Sequence, residues 1–270
     1  MDARTLKLKM EREGKVYINN YNEKFTIIEY PHNERVRIKF ENGYERICTW
    51  SQIKRGNCIT PYTKTVCGIG YLGEGEYNPN EHKKIYKIWK AMIERCYDAY
   101  NINYKNPTYK DCFVEEYLHC FQNYAQWYVY HLPITNEEMH VDKDIIEKGN
   151  KLYDREHMIF VPREINNLFN KKGTDRGEYP IGVHLCKATA KNRRKEDVLV
   201  AQCNIIDDNG KVKKVHLGYF PLNKPFQAFY MYKQFKENHI KEIADKYYAK
   251  GLIDKRIYDA LYRYEVEIND

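Results

Sequence analysis

The stretch 137–170 limits the fold most, because strand, turn, strand and helix signals follow one another there within about thirty residues. HVDKDII (140–146) has the alternation of a strand, Gly149-Asn150 marks a bend, and HMIFVP (157–162) predicts a second strand. Pro162 suits the first turn of a helix, PREINNLFN (162–170). The stretch therefore predicts a ββα unit with polar residues at the strand end, in the loop and on the helix.

Positive charge is concentrated in one segment of the chain. Residues 171–250 contain 17 Lys and Arg against 9 Asp and Glu, a net of +8, whereas the whole chain of 270 residues carries +7. A basic bias confined to one segment is typical of nucleic-acid binders, because each neutralised phosphate releases counterions. A solvated surface is the alternative explanation for such a run of charge.

The N-terminal part reads as a small β-rich domain. KFTIIEY (24–30), RVRIKF (35–40) and YERICTW (44–50) predict strands, and Asn42-Gly43 between the last two is a strong hairpin signal. Two amphipathic helices then follow, at 81–100 with Ile85, Trp89, Met92 and Cys96 on its apolar face, and at about 116–131. The first segment predicts a curved sheet or a partly open barrel.

The basic segment predicts three strands and a long helix. IGVHLCKA, DVLVAQCNIID and VKKVHLGYF are strand-like, Asp208-Asn209-Gly210 is a tight turn, and 226–251 is helical. The predicted fold class is α+β, with a β-barrel-like domain at 1–75, a helical ββα domain at 76–172, and a three-stranded antiparallel sheet plus helix at 173–270.

The ββα stretch and the preceding helix pattern W-x2-M-x2-R-C-Y (89–97) resemble the HNH, or His-Me finger, nucleases, in particular the homing-endonuclease-like proteins of phages. The resemblance implies a metal site formed by Asp142 and Asn166, with Asn167 as a neighbouring candidate, and a loop role for Asn150. Carboxylate and amide oxygens are ligands that Mg²⁺ prefers, so the expected cofactor is magnesium.

The position at which that family has its catalytic histidine is occupied here by Lys143. A lysine is protonated near neutral pH unless its surroundings depress its pKa by several units, so it is a poor general base. His140, which shares a strand face with Asp142, and His157 are the alternative bases. The expected catalytic residues are therefore Lys143, His140 and Asn150, and whether the protein cleaves DNA stays open.

The C-terminal segment resembles the DNA-binding domain of plant ethylene-response factors, which also occurs in phage HNH proteins. The resemblance depends on PIGV (180–183), HLGYF (216–220) and the helix around Ala228-Phe229-Tyr230. It implies a sheet lying in the major groove of double-stranded DNA with the helix behind it. The expected DNA-binding residues are Lys187, Lys191, Arg193, Arg194, Lys195, Lys211, Lys213, Lys214 and His216. Successive side chains of a strand point to opposite faces, so Lys214 and His216 share one face and Lys213 lies on the other. Only part of this set can therefore face DNA.

Three functions remain open on this reading: a magnesium-dependent homing-type endonuclease, a DNA-binding regulator or counter-defence protein whose nuclease centre has decayed, and an RNA-binding protein. The eight cysteines show no C-x2-C spacing, and the chain starts without an apolar signal segment or a membrane-spanning run. The expected location is the cytoplasm of a phage-infected cell, with thiols reduced.

Overall fold

The computed structural model describes residues 3–169, 178–189, 195–206 and 210–268. The chain divides into two compact units, Met1–Tyr130 with Lys151–Asp154, and His131–Asn150 with Arg155–Asp270. Helices and several small sheets alternate in both, which confirms the α+β class.

The first unit begins with helix α1 (Ala3–Arg12) and a four-stranded antiparallel sheet. Its strands are β1 (Val16–Ile18), β2 (Lys24–His32), β3 (Arg35–Phe40) and β4 (Glu45–Cys48), in that spatial order, followed by helix α2 (Trp50–Lys54). Alternate residues of β2 and β3 form the core, as the sequence pattern predicts. The sheet is open, with β1 and β4 as its edges, and the described strands form no closed barrel. Edge strands of three and four residues are too short to wrap around and pair with each other.

Two further helices complete this unit. The predicted amphipathic helix is α3 (Lys83–Tyr97), and it buries Ile85, Trp89, Met92, Ile93 and Cys96. A two-residue strand β5 (Phe113–Val114) pairs in parallel with β7 (Leu152–Tyr153), and α4 (Phe121–His131) follows β5 along the chain. Phe121 packs on the Trp89 ring at 5.5 Å between centroids, which joins α3 to α4.

The second unit contains the predicted ββα arrangement. Strand β6 (Met139–Asp142) pairs antiparallel with β8 (Ile159–Pro162), and α5 (Arg163–Leu168) follows at once. The register is unbroken, with His140 opposite Val161 and Asp142 opposite Ile159. Val161 and Ile159 belong to the core that includes Ile165 of α5. Directly opposite residues share a face, so His140 and Asp142 lie on the side of the strands that α5 covers.

The rest of this unit is a three-stranded antiparallel sheet, a long helix behind it and a short helix that follows. Strands β9 (Val183–Cys186), β10 (Val198–Ile206) and β11 (Val212–Phe220) have β10 in the middle, as the sequence predicts. Helices α6 (Pro225–Ala249) and α7 (Lys255–Tyr262) follow. None of the helices in the described ranges is both long and apolar enough to cross a membrane.

Helix α6 contributes buried residues to two hydrophobic cores, one near each end. Ala228 and Tyr232, near its N-terminus, pack against the sheet, whereas Ile240 and Ala244 pack against the ββα unit and α7. Its contact with the sheet is so close at Gly182 that a Cβ there would lie 2.1 Å from Cγ of Tyr232. One continuous helix therefore joins the sheet to the ββα unit.

Candidate nucleic-acid interface and histidine site

A β-bulge decides which side chains lie on the open face of the three-stranded sheet. The register of β10 and β11 shifts between Ala201 and Gln202, so that Gly218 lies opposite Ala201 but His216 lies opposite Gln202. Leu217 turns into the core under α6. The bulge therefore puts both His216 and Tyr219 on the face away from α6.

Cationic and polar groups predominate among the exposed residues of this open face. His184 of β9, Lys214, His216 and Tyr219 of β11 are exposed, and Tyr219 is 55% accessible. His184 and Tyr219 flank Val200, which is buried in the middle of the sheet. The face, defined by these four exposed residues with Gln202 and Asn204 of β10, is called the reader face below.

Electrostatics on the reader face favour a negatively charged ligand. Partial burial lowers the pKa of His184, and the positive charge of Lys214 and the nearby His216 imidazole lower it further. In such surroundings the cost of adding another positive charge disfavours the charged form of a histidine. A bound phosphate would remove that cost.

The structure separates those predicted DNA-binding residues that it describes into three sets. Lys214 and His216 lie on the reader face, as alternation predicts. Lys213 lies opposite Ile205, whose side chain packs under α6, so its side chain leaves the sheet on the helix side. The exposed lysines at the ends of the strands are Lys187, Lys195 and Lys211. Lys191, Arg193 and Arg194 lie outside the described residues.

The ββα unit holds a histidine between a carboxylate and an amide. Asn166 Nδ2 of α5 lies 3.3 Å from Nδ1 of His140, and Nε2 of His140 lies 3.2 Å from Oε1 of Glu138. With Asn166 donating to Nδ1, the Nε2–H donates to Glu138, which fixes one tautomer of the ring. Arg163 Nη1 donates to the other oxygen of Glu138 at 3.0 Å. The hydrogen bond from His140 and that from Arg163 hold the pKa of Glu138 below its usual range.

Lys143 and Asn150 contact each other and close the loop between them. The Lys143 ammonium is 5% exposed, donates to Asp144 Oδ1 at 2.6 Å and also donates to the backbone oxygen of Asn150. Asn150 Nδ2 donates in return to the backbone oxygen of Lys143 at 3.0 Å. These contacts give both residues a structural role in the loop that follows β6.

The predicted metal ligands Asp142 and Asn166 are engaged in other contacts. Asp142 Oδ1 accepts the backbone N–H groups of Asp144 and Ile145, at 2.7 and 2.9 Å. Burial raises the pKa of the Asp142 carboxyl. Across the described ranges, no three His, Cys, Asp or Glu side chains converge in a group that could hold a metal ion. The magnesium expected at Asp142 and Asn166 stays a prediction, and no chemistry is assigned to a metal here.

Sequence reasoning missed Glu138, His184 and Tyr219. Glu138 has a signal in the sequence, because residues two apart on a strand share a face and it stands two before His140. Tyr219 has none, because simple alternation from His216 puts it on the opposite face and only the bulge reverses this. No family model matches the chain, and neither a curated protein nor a solved structure matches it.

Proposed function

We propose that this protein binds double-stranded DNA through the reader face. The single observation that supports it best is the arrangement of Lys214, His216 and His184 on one exposed side of a sheet that α6 covers on the other. A sheet backed by a helix presents a firm, slightly twisted surface of the kind that other proteins place in a DNA groove.

The side chains of the reader face match the two tasks of a DNA reader. Lys214 and the histidines suit phosphate oxygens, which position a protein on the duplex. Gln202 and Asn204 carry amides, and such groups can bond adenine N6 and N7 together in the major groove. The net charge of +8 over 171–250 adds a sequence-independent attraction.

The resemblance to the ethylene-response-factor domain and to phage HNH proteins supports the same proposal. Its matching strands are the ones that carry the reader face, with Ile181-Gly182-Val183 leading into β9 and HLGYF ending β11. The proposed setting is accordingly the cytoplasm of a phage-infected cell.

The test is fluorescence anisotropy with short labelled duplexes over a salt series. The wild type is expected to bind with a strong salt dependence, and Lys214→Ala is expected to reduce the slope of log K against log salt by about one. Lys213→Ala is the matched control, since it removes the same charge from the adjacent residue on the other side of β11. Equal losses from the two variants would contradict binding through the reader face.

Duplex RNA and single-stranded DNA of the same sequence decide between the nucleic acids. Preference for duplex DNA is expected, because the deep, narrow major groove of A-form RNA excludes protein elements. Tighter binding to either RNA form, weakened by Lys214→Ala, would replace the DNA proposal by an RNA-binding one.

A second candidate function, hydrolysis of a phosphodiester bond, is favoured by the contacts of His140. In this proposal a water replaces Asn166 at Nδ1 of His140 and gives its proton to that nitrogen, and Glu138 stabilises the imidazolium that forms. The resulting hydroxide bonds to phosphorus while the P–O bond to the leaving oxygen breaks. The leaving oxygen takes up a proton from solvent, to which the imidazolium later loses its own. Asn166 then supplies its amide next to the attacked phosphate. The carboxylate–histidine pair replaces the base that Lys143 cannot supply in its buried contacts.

Nicking of supercoiled plasmid tests this second candidate, with magnesium, with manganese and with chelator. His140→Ala is expected to abolish nicking, whereas His157→Ala is expected to preserve it. His157 is a matched control, because its Nε2 also lies close to a carboxylate, 3.4 Å from Glu147 Oε2. Absence of nicking by the wild type under every condition, alongside DNA binding, would leave the protein as a regulator that acts by occupying DNA.

A further inference from the structure

A cavity of about 840 Å³ lies along one edge of the three-stranded sheet in the second unit. Strand β9 pairs with β10 only as far as Ala201, and one further bond follows, from the backbone N–H of Gln202 to the backbone oxygen of Gly182 at 2.9 Å. Residues 203–206 continue β10 beyond that point and line the cavity. Its volume lies in the range of pockets that hold small molecules.

The edge of β10 beyond β9 directs backbone donors and acceptors toward the cavity. Neighbouring residues of an antiparallel strand direct their N–H and C=O groups to opposite edges, and residues two apart direct them to the same edge. Gln202 directs its N–H to the β9 side, so Asn204 and Ile206 do the same, and no strand of the described ranges pairs with them there. The backbone oxygen of Asn204 accepts a weak hydrogen bond from Sγ of Cys203 at 3.6 Å and keeps a second lone pair. Asn204 therefore presents one donor and one acceptor side by side.

The lining of the cavity is basic and aromatic. Lys214 and Lys236 contribute ammonium groups, and no acidic side chain belongs to the lining that the structure describes. Lys236 of α6 is half-buried, and no carboxylate of the described residues lies within 4.0 Å of its ammonium. Burial removes water from this ammonium and lowers the pKa of Lys236. Phe169 and Tyr264 add aromatic walls, with ring centroids 4.7 Å apart. The lining therefore suits a ligand that combines a negative charge with a flat ring.

We propose that this cavity binds an adenine nucleotide, with the phosphate at Lys236 and the base along the edge of β10. Adenine has its N6–H donor beside the acceptor N7, so this edge of the base complements the C=O and N–H of Asn204. Proteins that extrude a base bind it in a similar manner, by hydrogen bonds to its edge and by packing against aromatic or apolar side chains. The same chemistry is carried by a free nucleotide and by a nucleotide of a single DNA strand. Lys236 lies on α6, behind the sheet, so binding in the cavity requires no duplex at the reader face.

Isothermal titration calorimetry of the full-length protein with adenosine 5′-monophosphate tests the site. One nucleotide is expected to bind to each chain, and Lys236→Met is expected to weaken binding by roughly tenfold to a hundredfold, because a hydrogen bond between charged groups is lost. Lys241→Met is the matched control, since Lys241 is also a half-buried lysine of α6 but does not line the cavity. Equal losses from the two variants would overturn the proposal.

Three related ligands test the two halves of the site with the wild type alone. Inorganic phosphate and adenosine are each expected to bind at least about tenfold more weakly than the nucleotide, because each contacts only one half of the lining. Inosine 5′-monophosphate has an oxygen acceptor in place of the N6–H donor, and this oxygen would face the carbonyl oxygen of Asn204. It is therefore expected to bind about tenfold more weakly as well. Equal binding of the inosine and adenosine nucleotides would overturn the placement of the base at β10.

A short, labelled, single-stranded oligo-deoxyadenylate distinguishes the two sources of the nucleotide. If the free nucleotide is the ligand, it binds in calorimetry and the affinity of the strand does not depend on Lys236. If a DNA strand supplies the nucleotide, the strand loses affinity in Lys236→Met but not in Lys241→Met, and the free nucleotide does not bind. A Lys236→Met protein that binds both probes as the wild type does would overturn the proposal. Duplex binding that Lys214→Ala weakens would then still support the DNA-binding function.

Discussion

His216 and Tyr219 lie side by side on the reader face, with ring centroids 4.2 Å apart, although they stand three residues apart on one strand. In an unbroken strand an odd separation puts two side chains on opposite faces. The bulge between Ala201 and Gln202 brings them together. The pairing of the His216 and Tyr219 rings on the reader face therefore depends on one irregularity in the register.

Loss of the Tyr219 ring is expected to weaken DNA binding more than it weakens the fold. Tyr219 is exposed, so Tyr219→Ala should change the free energy of unfolding by about 0.5 kcal/mol or less. Stacking and hydroxyl contacts to DNA would be lost, with a fall in affinity of roughly threefold to tenfold. Anisotropy and urea unfolding measure the two effects. A large loss of stability with unchanged affinity would show that the ring serves the fold.

DNA binding is expected to strengthen as the pH falls. Burial and the neighbouring cations keep the pKa of His184 below its ordinary value in the free protein. A bound phosphate favours the protonated ring and raises this pKa, so binding takes up a proton. Affinity therefore rises as the pH falls through the pKa of the complex, and it levels off below the pKa of the free protein. Anisotropy from pH 7.5 down to about 5.5 at constant salt tests this. His184→Gln should flatten the dependence, and an unchanged profile would contradict a role for His184.

Gly182→Ala is expected to destabilise the sheet strongly. Gly182 has φ of +76°, and a Cβ there would overlap the ring of Tyr232. The left-handed backbone costs about 1–2 kcal/mol for alanine, and the overlap adds about 1–3 kcal/mol. Gly210→Ala is the control, because Gly210 has φ of +73° and no atom within 4 Å of its Cβ position. Urea unfolding should give the larger loss for Gly182→Ala, and equal losses would mean that the close approach to α6 costs nothing.

Lys143 and His140 are expected to show opposite effects on stability and activity. Lys143→Met leaves the Asn150 carbonyl without its buried donor, which should cost about 1–3 kcal/mol in unfolding free energy. His140 has partly exposed contacts, so His140→Ala should cost about 1 kcal/mol or less while removing the proposed base. Calorimetry and plasmid nicking separate the two. A stable Lys143→Met protein that no longer nicks would restore Lys143 to the catalytic role predicted from the sequence.

Local sequence signals predicted the elements well, because each depends on residues that are close along the chain. The strand-like run VKKVHLGYF predicted the full length of β11. The spacing of Trp89 and Met92 predicted the buried side of α3. The same reasoning separated Lys213 from Lys214 correctly. Strand period and helix period are properties of a single segment, so they require no knowledge of its partner.

Features that depend on distant residues could not be predicted from the sequence. The apolar residues of α6 indicate a buried side but not that Ala228 meets a sheet and Ala244 meets the ββα unit. Asn166 was expected to bind a metal together with Asp142, and the fold places its amide nitrogen against Nδ1 of His140. Such pairings are set by tertiary packing rather than by local pattern.

Because α6 is continuous, it sets the distance between the sheet and the ββα unit. Tyr232 packs with the sheet and Ala244 with the ββα unit, and twelve residues of one helix separate them by about 18 Å. If the protein both binds DNA through the reader face and cuts it at His140, as proposed, the break is expected at one set offset from the bound site, because α6 joins the two parts. Inserting a full helical turn into α6 between Phe235 and Ile240 should move the break along the duplex, whereas lengthening a surface loop should leave it in place.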